Sequence, residues 1–457
     1  MTVTTPPPGG PAPAAPAAQG AAAPDPAGPR SRGTGPARLQ VLMIILLLAS
    51  LAWGAVAAWT VLSHASAASE VVRSSEPLSI RAQRMYQALS DADVTATTAF
   101  LGGPDTPLAA RQRYAADIAR AAADLASLKG AATAAADPRL AAGLAAVSAG
   151  LPVYTGYVAQ AQSSSALGYP LPGGSFMQVA SEQMHLTLLP AARTVYTRQN
   201  AALAAASARA TGLPWIAVVL GLAVVIGFVL YRVQRWLARR THRVFNVGLV
   251  LASVVLVAVV LWLAVAFAAA RSSLDRAVAH GSAPAEALAQ AAIGFQQARG
   301  DQVLNLISRS GDATFVQDFR SVRDRLGPGP GTLLTTAAQA SAGGASPAAA
   351  RWTAAAARDA VPWYAVNERV YNLDGAADYA GETQLVVGTG PASSAAGFSR
   401  VEADLSRAIA ADQVVFHRSA TAGQQAFGLL GPGVIAAAVV MAAGCVWGLA
   451  RRLAEYR

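Results

Sequence analysis

Charge is scarce in this chain. Only 13% of its 457 residues are Asp, Glu, Lys or Arg, 54% are hydrophobic, and mean hydropathy is +0.37. Ordinary globular domains carry about 25% charged residues, so an ordinary soluble protein is excluded. Cysteine is limited to Cys445, which rules out an intramolecular disulfide, a thiolate zinc cluster and a CxxC redox pair. The five histidines, His64, His185, His242, His280 and His417, show no metal-ligand spacing such as HExxH. No Gly-x-Ser-x-Gly elbow is present. The one glycine-rich run, GPGPG at 327–331, carries prolines where a phosphate cradle needs backbone N–H donors. The expectation is a protein with no catalytic residues, no metal and no cofactor.

What the chain has instead is four long apolar runs. Residues 41–62, 213–230, 247–270 and 427–450 contain no Asp, Glu, Lys, Arg or His, and each reaches the roughly 18 residues that a transmembrane helix needs. The absence of ionisable groups within them counts against an ion or proton pathway. Trp59, Trp215 and Trp447 lie near span ends, where amphipathic rings favour the interface. The first run is longer than a signal-peptide core and about 37 residues precede it, so it reads as an uncleaved anchor.

The net charge of +10 is placed unevenly. The segment before the first span carries +2, residues 231–246 carry +5 and residues 451–457 carry +2. The two long segments between spans, 63–212 and 271–426, are close to neutral. Cytoplasmic segments hold the Lys/Arg excess. Both termini and the stretch YRVQRWLARRTHRVFN are therefore expected inside a plasma membrane, and both long segments outside it. Arg232, Arg235, Arg239, Arg240 and Arg243 then act as a topology signal in a 16-residue hairpin loop, and as a contact for a cytosolic partner. Nucleic-acid binding loses its main support, and the lipid bilayer becomes the partner of the basic charge.

Residues 1–37 are dominated by Pro, Ala and Gly and read as a disordered tail. The remainder looks duplicated: span, long segment, span occurs twice. Tyr86 and Phe295, Val94 and Val303, and Gly102 and Gly311 share an offset of 209, and LPVYTGY at 151 aligns with VPWYAVN at 361. Each long segment is rich in helix formers. Leu78, Met85, Leu89, Ala92, Ala96 and Ala99 form one apolar stripe, and Met177, Ala180, Met184, Leu188, Ala191 and Val195 another. An all-α membrane protein with two four-helix-bundle domains outside the bilayer follows. The only strand-like run is TQLVVG at 383–388.

Charged residues on the first bundle helices form the candidate ligand site. Arg81, Arg84, Asp91 and Asp93 lie on one, and Arg299 and Asp301 on its counterpart. Such a set reads either as a solvated face or as a site for an amino acid or organic acid, since arginine pairs bidentately with carboxylates. The block YPLPGGSFMQVASEQM at 169–184 reads as a turn with Ser175 as helix N-cap. Pro172, Gly174, Ser175 and Phe176 within it are candidate partner contacts. Tyr154, Tyr157, Trp363 and Tyr364 read as bundle core.

Four spans, two outer helical segments and PGGSFMQVASEQM followed by LLPAA (172–192) resemble a family of actinobacterial membrane proteins. Its members are four-span partners of a glutamine/glutamate-type substrate-binding lipoprotein, linked to amino-acid sensing through the cytosolic serine/threonine protein kinase G. The resemblance covers most of the chain from about residue 38 and implies a non-enzymatic sensor with these two partners. The second long segment lacks the PGGSF block and has DGAADYAG at 374–381 instead. A homodimer is compatible with this architecture. The competing reading is a structural or transport-accessory scaffold of the cell envelope.

Overall fold

The computed structural model describes residues 35–102, 108–132, 137–212, 214–241, 247–308, 313–327, 331–343, 346–388 and 390–454. Among these residues every regular element is helical. Of the 1–37 tail, residues 1–34 lie outside the described residues, as do His242, Arg243, Gly311 and Asp312.

The first half opens with α1 (Gly35–Glu70), which passes through a π-helical turn (Val71–Ser75) into α2 (Glu76–Leu101). Then come α3 (Leu108–Ala132), α4 (Pro138–Ala166) and α5 (Pro170–Gln183). A π turn at Met184–Leu188 joins α5 to α6 (Leu189–Thr211), and α7 (Pro214–Thr241) ends the half. The second half has one more helix and, among the described residues, a single π turn. α8 (Val247–Ala277), a π turn (Val278–Ser282) and α9 (Ala283–Ser308) precede α10 (Ala313–Leu326), α11 (Leu333–Ala342) and α12 (Pro347–Gly375). α13 (Tyr379–Val387), α14 (Ser394–Gln425) and α15 (Leu430–Ala454) complete it. The helices α4 and α12 each carry one internal proline, Pro152 and Pro362, in aligned positions.

Among the described residues, five mainly helical stretches are long and apolar enough to cross a membrane: Gln40–Leu101, Pro138–Ala166, Leu171–Trp236, Val247–Ile307 and Ser394–Arg451. Pro138–Ala166 is the least apolar of them. Large exposed apolar side chains concentrate at 41–62, 215–231, 247–265 and 429–447, the pattern of helices whose outer faces meet lipid. Trp59 and Trp215 meet edge-to-face at 4.9 Å near two of the span ends.

The four most apolar stretches form one cluster, with α15 lying between α1 and α8 and α7 closing the group. Small residues set their close approaches. A Cβ on Gly54 would fall 2.3 Å from that of Ala438, and Gly248 faces Gly444 and Gly448. Small residues that let backbones meet are the usual device where lipid is as apolar as the side chains.

The two polar bundles share one hydrophobic core. A single cluster runs from Met85, Leu89 and Tyr154 in the first to Phe295, Trp363 and Leu405 in the second, with α2 against α9 at the junction. Met85, Leu89, Ala92 and Ala96 of the expected stripe are all fully buried, as are Met177, Ala180, Met184, Leu188 and Val195.

Three local expectations are corrected. TQLVVG belongs to helix α13, started by the Asp378 side chain accepting from Gly381 N at 3.0 Å. The stretch YPLPGGS is helical from Pro170, so Ser175 sits inside the helix with its hydroxyl toward Leu171 O at 3.5 Å instead of capping it. Prolines in the first turn cost no hydrogen bond, because those N–H groups have no partner there anyway. The arginine stretch is also helical as far as Thr241 and not a hairpin loop up to that point. It has no Gly or Pro to break it, and arginine is a good helix former. Arg232, Arg235 and Arg239 are exposed, with Arg235 donating to the Tyr231 hydroxyl at 3.1 Å.

Candidate functional site

The polar face of α2 meets the second bundle, and two groups of buried polar residues collect there. The first is centred on Asp93, which is 2% exposed. Its Oδ2 accepts from Ser181 Oγ at 2.8 Å and lies 3.2 Å from His185 Nε2. Among the described residues the Tyr114 hydroxyl has no hydrogen-bond partner, and the Tyr154 side chain lies close enough for the Asp93 charge to act on it. Burial and then the charge of Asp93 push Tyr114 up. Ser181 and His185 are four residues apart, so α5 and the π turn after it aim both at one carboxylate.

His185 also reaches the second bundle. A Cβ on Gly300 would lie 3.0 Å from its Cε1, and the charge of Asp301 acts on the ring. Burial alone would lower the His185 pKa; the hydrogen bond and charge of Asp93, with Asp301, outweigh it and leave the pKa raised. The protonated pair therefore stabilises the fold fully below the ordinary value near 6.5, and that contribution is lost as pH rises through the raised value. Replacing His185 by alanine is expected to cost on the order of 1–3 kcal/mol, with a larger loss of melting temperature at pH 6 than at pH 9. Equal losses at the two pH values would contradict the ion pair.

The second group lines a cleft of about 360 Å3 between the bundles, walled by α2, α3, α9 and α14. Asp91 accepts from Gln296 Nε2 at 3.0 Å. Burial, and then the neighbouring Glu402, raise the Asp91 carboxyl well above the ordinary range. Arg113 pairs with Glu402 at 3.4 Å. Arg299, 1% exposed, lines the same cleft. Its guanidinium donates to Gln302 Oε1, to Ser394 Oγ at 3.3 Å and to Val386 O at 3.1 Å, all neutral acceptors. Its Nε has no partner. Burial lowers its pKa to about 10, and among the described residues no carboxylate lies within ion-pair distance of it. The cleft thus holds acidic groups at Asp91 and Glu402 and an uncompensated cation at Arg299. Gln296 and Arg299 are three residues apart on α9, about 4.5 Å along its axis.

The candidates therefore divide. Asp91 and Arg299 line the cleft; Asp93 and Asp301 flank His185 beside it. Arg81 and Arg84 instead attend Asp124 on the outer side of α2: Arg84 pairs with it at 3.3 Å, and the Arg84 side chain is 53% exposed. That is a solvated face. Pro172 and Ser175 are exposed at the start of α5, Gly174 has open space around it, and Phe176 packs against the core. Tyr154 and Trp363 are fully buried core, with Trp363 5.4 Å from the Phe295 ring. The residues not anticipated are Ser181, His185, Gln296, Arg113 and Glu402. Among the described residues no group of three or more His, Cys, Asp or Glu could hold a metal ion.

Known families supply one comparison. Residues 67–208 match the actinobacterial sensor domain. No curated protein and no solved structure matches the chain. The sensor-domain match runs from the end of α1 through α6, so it takes in Asp91, Asp93, Arg113, Ser181 and His185. It supports a sensor or signalling role. Arg299, Gln296 and Glu402 come from outside it, so the cleft combines the sensor-like segment with the second bundle.

Proposed function

We infer that this chain is a non-enzymatic sensor of the plasma membrane, with spans at 41–62, 213–230, 247–270 and 427–450. Both termini and residues 231–246 face the cytoplasm, and the two bundles, 63–212 and 271–426, descend from one duplicated unit outside it. α4 is not a span in this reading, since its buried side belongs to the same core as α2 and α6. The bundles recognise a small charged ligand, an amino acid, or a binding lipoprotein loaded with it, and they signal to a cytosolic effector such as a serine/threonine kinase pathway.

One observation carries the reading: the sensor-domain match coincides with a cleft formed on helices that continue into apolar spans. Charge of both signs within it suits a ligand that has an ammonium and a carboxylate. Asp91 and Glu402 would take the first, and Arg299 with its free Nε–H the second. A ligand clamped between α2, α9 and α14 would shift helices by the ångström-scale movements common in transmembrane signalling.

Crosslinked pull-down of the full chain from membranes, with and without added amino acids, tests the proposal. Recovery of an extracytoplasmic binding protein or a cytosolic effector, changed by ligand, is expected. Recovery of neither, together with a melting temperature that no amino acid shifts, would favour an envelope scaffold.

A further inference from the structure

A second cavity of about 190 Å3 lies between the bundles, closer to the spans than the cleft described above. Its walls come from the start of α2, the middle of α6, the π turn at Val278–Ser282, the start of α9 and the lower part of α14. Most of the lining is apolar, including Ile80, Leu203 and Phe416. Some of the polar groups facing it are paired, Ser79 with Asn200 Oδ1 and Ser282 with Val278 O; others are not. Gln83 is 8% exposed and Ser207 7% exposed, and neither side chain makes a hydrogen bond among the described residues. Glu76 is 5% exposed and has one partner, His417 Nδ1, at 3.2 Å from Oε2. Its Oε1 has none among the described residues.

These features define an occupant. The Gln83 amide, the Ser207 hydroxyl and the free Glu76 oxygen line the cavity without protein partners, so they are available to an occupant. The carboxylates at this cavity, Glu76 and Glu286, repel an anion. His417, the ion-pair partner of Glu76 among the described residues, is 59% exposed at its side chain. Apolar walls disfavour a hydrated metal ion, which keeps its waters. We propose that this cavity binds a small organic cation, a primary ammonium on a short aliphatic body, with Glu76 and Gln83 receiving the ammonium and Ile80, Leu203 and Phe416 enclosing the alkyl part. The raised Glu76 pKa agrees with the geometry: burial lifts it, and the hydrogen bond and charge of His417 only partly offset the lift.

Position gives the site its consequence. Glu76 directly follows one π turn, and Gly281 lies inside the other, where a Cβ would meet Phe416 at 2.6 Å. π turns inside helices are frequent at functional sites. An occupant wedged between α2 and α6 on one side and α9 and α14 on the other sets the spacing of the bundles just above the spans. This proposal stands apart from the amino-acid cleft, and neither depends on the other.

The test uses the detergent-solubilised full chain and n-butylammonium chloride as probe, with 1-butanol and butyrate as neutral and anionic comparisons, by isothermal titration. Saturable binding in roughly the millimolar range is expected for so few heavy atoms, at least tenfold tighter than either comparison. Glu76→Gln should weaken it at least tenfold by removing the charge. Ser207→Leu should do the same by filling the cavity, with Glu76 left in place. Elution profile and helical content confirm that each variant is folded, and if one does not fold the other decides. Absence of saturable binding, butyrate binding as tightly as the amine, or wild-type affinity in a folded variant would overturn the proposal.

Discussion

Asp412→Asn is expected to raise the melting temperature at pH 8 by several degrees and to leave it almost unchanged at pH 4. Asp412 lies on α14, is 1% exposed, and neither of its carboxylate oxygens has a hydrogen-bond partner. Burial alone pushes its pKa from 3.8 to about 7. A carboxyl whose folded pKa is raised binds its proton more tightly in the native state. Its charge therefore costs nothing below the unfolded pKa near 4. The penalty grows as pH rises and is complete above about 7. Each unit is worth at most roughly 1.4 kcal/mol, and solvent screening reduces the total below the full conversion. Asparagine removes the charge but keeps an unsatisfied amide, so a net gain on the order of 1–3 kcal/mol at pH 8 is expected. Melting of both proteins from pH 4 to 8 checks this. Parallel curves across that range would show that Asp412 finds a partner or water.

Gly248→Leu should have the largest effect of the opposite sign. Gly248 on α8 faces α15 so closely that an added Cβ would lie 2.4 Å from Gly444 O and 2.6 Å from Gly448 Cα. Both obstacles are backbone, which cannot rotate aside, so the helices themselves must separate. That loses contacts along a pair held together by close backbone approach. Melting is expected to fall by more than about 10 °C, or the protein to elute as aggregate, a cost of several kcal/mol as for other overpacked sites. Gly221→Ala is the control. Gly221 lies on α7 with nothing within 4 Å of its would-be Cβ, and alanine is favoured over glycine in a helix by up to about 1 kcal/mol. It should be neutral or slightly stabilising. If both substitutions behave alike, the α8–α15 contact does not govern stability.

The periodicity of the sequence carried its local structure well. Every buried member of the Met85 and Met177 stripes is placed by spacing alone, because a helix shows its core side at every third or fourth residue. The apolar runs were equally plain, since uncharged length needs no partner to be read. The shared core of the bundles was not legible. It joins Met85 and Tyr154 to Phe295 and Leu405, residues some two hundred positions apart whose patterns are complete within each half.

The site failed in the same way. Asp91 and Arg299 stood out as charges on apolar helices, but Arg81 and Arg84 stood out equally, and only the fold sends them to the outer side of α2. Glu402 comes from α14, where it is one acid among many. His185 is a lone histidine whose neighbour Ser181 belongs to the PGGSF block. The i, i+4 spacing of that pair on one carboxylate was the one local signal available, and it lay just beyond the residues singled out. Ser175 misled because its cap-like setting is overridden by the prolines that start α5 five residues earlier.

The run Gln40–Leu101 is a single helical rod of 62 residues, about 93 Å long at ~1.5 Å per residue. A rod of that length multiplies small rotations. A tilt of about 5° about its midpoint displaces each end by roughly 4 Å, whereas the same tilt in an ordinary three-turn helix moves its ends by less than 1 Å. The π turn at Val71–Ser75 is the one joint along it. A displacement at Asp91 therefore passes through this joint before it reaches the far end of the rod at Gln40.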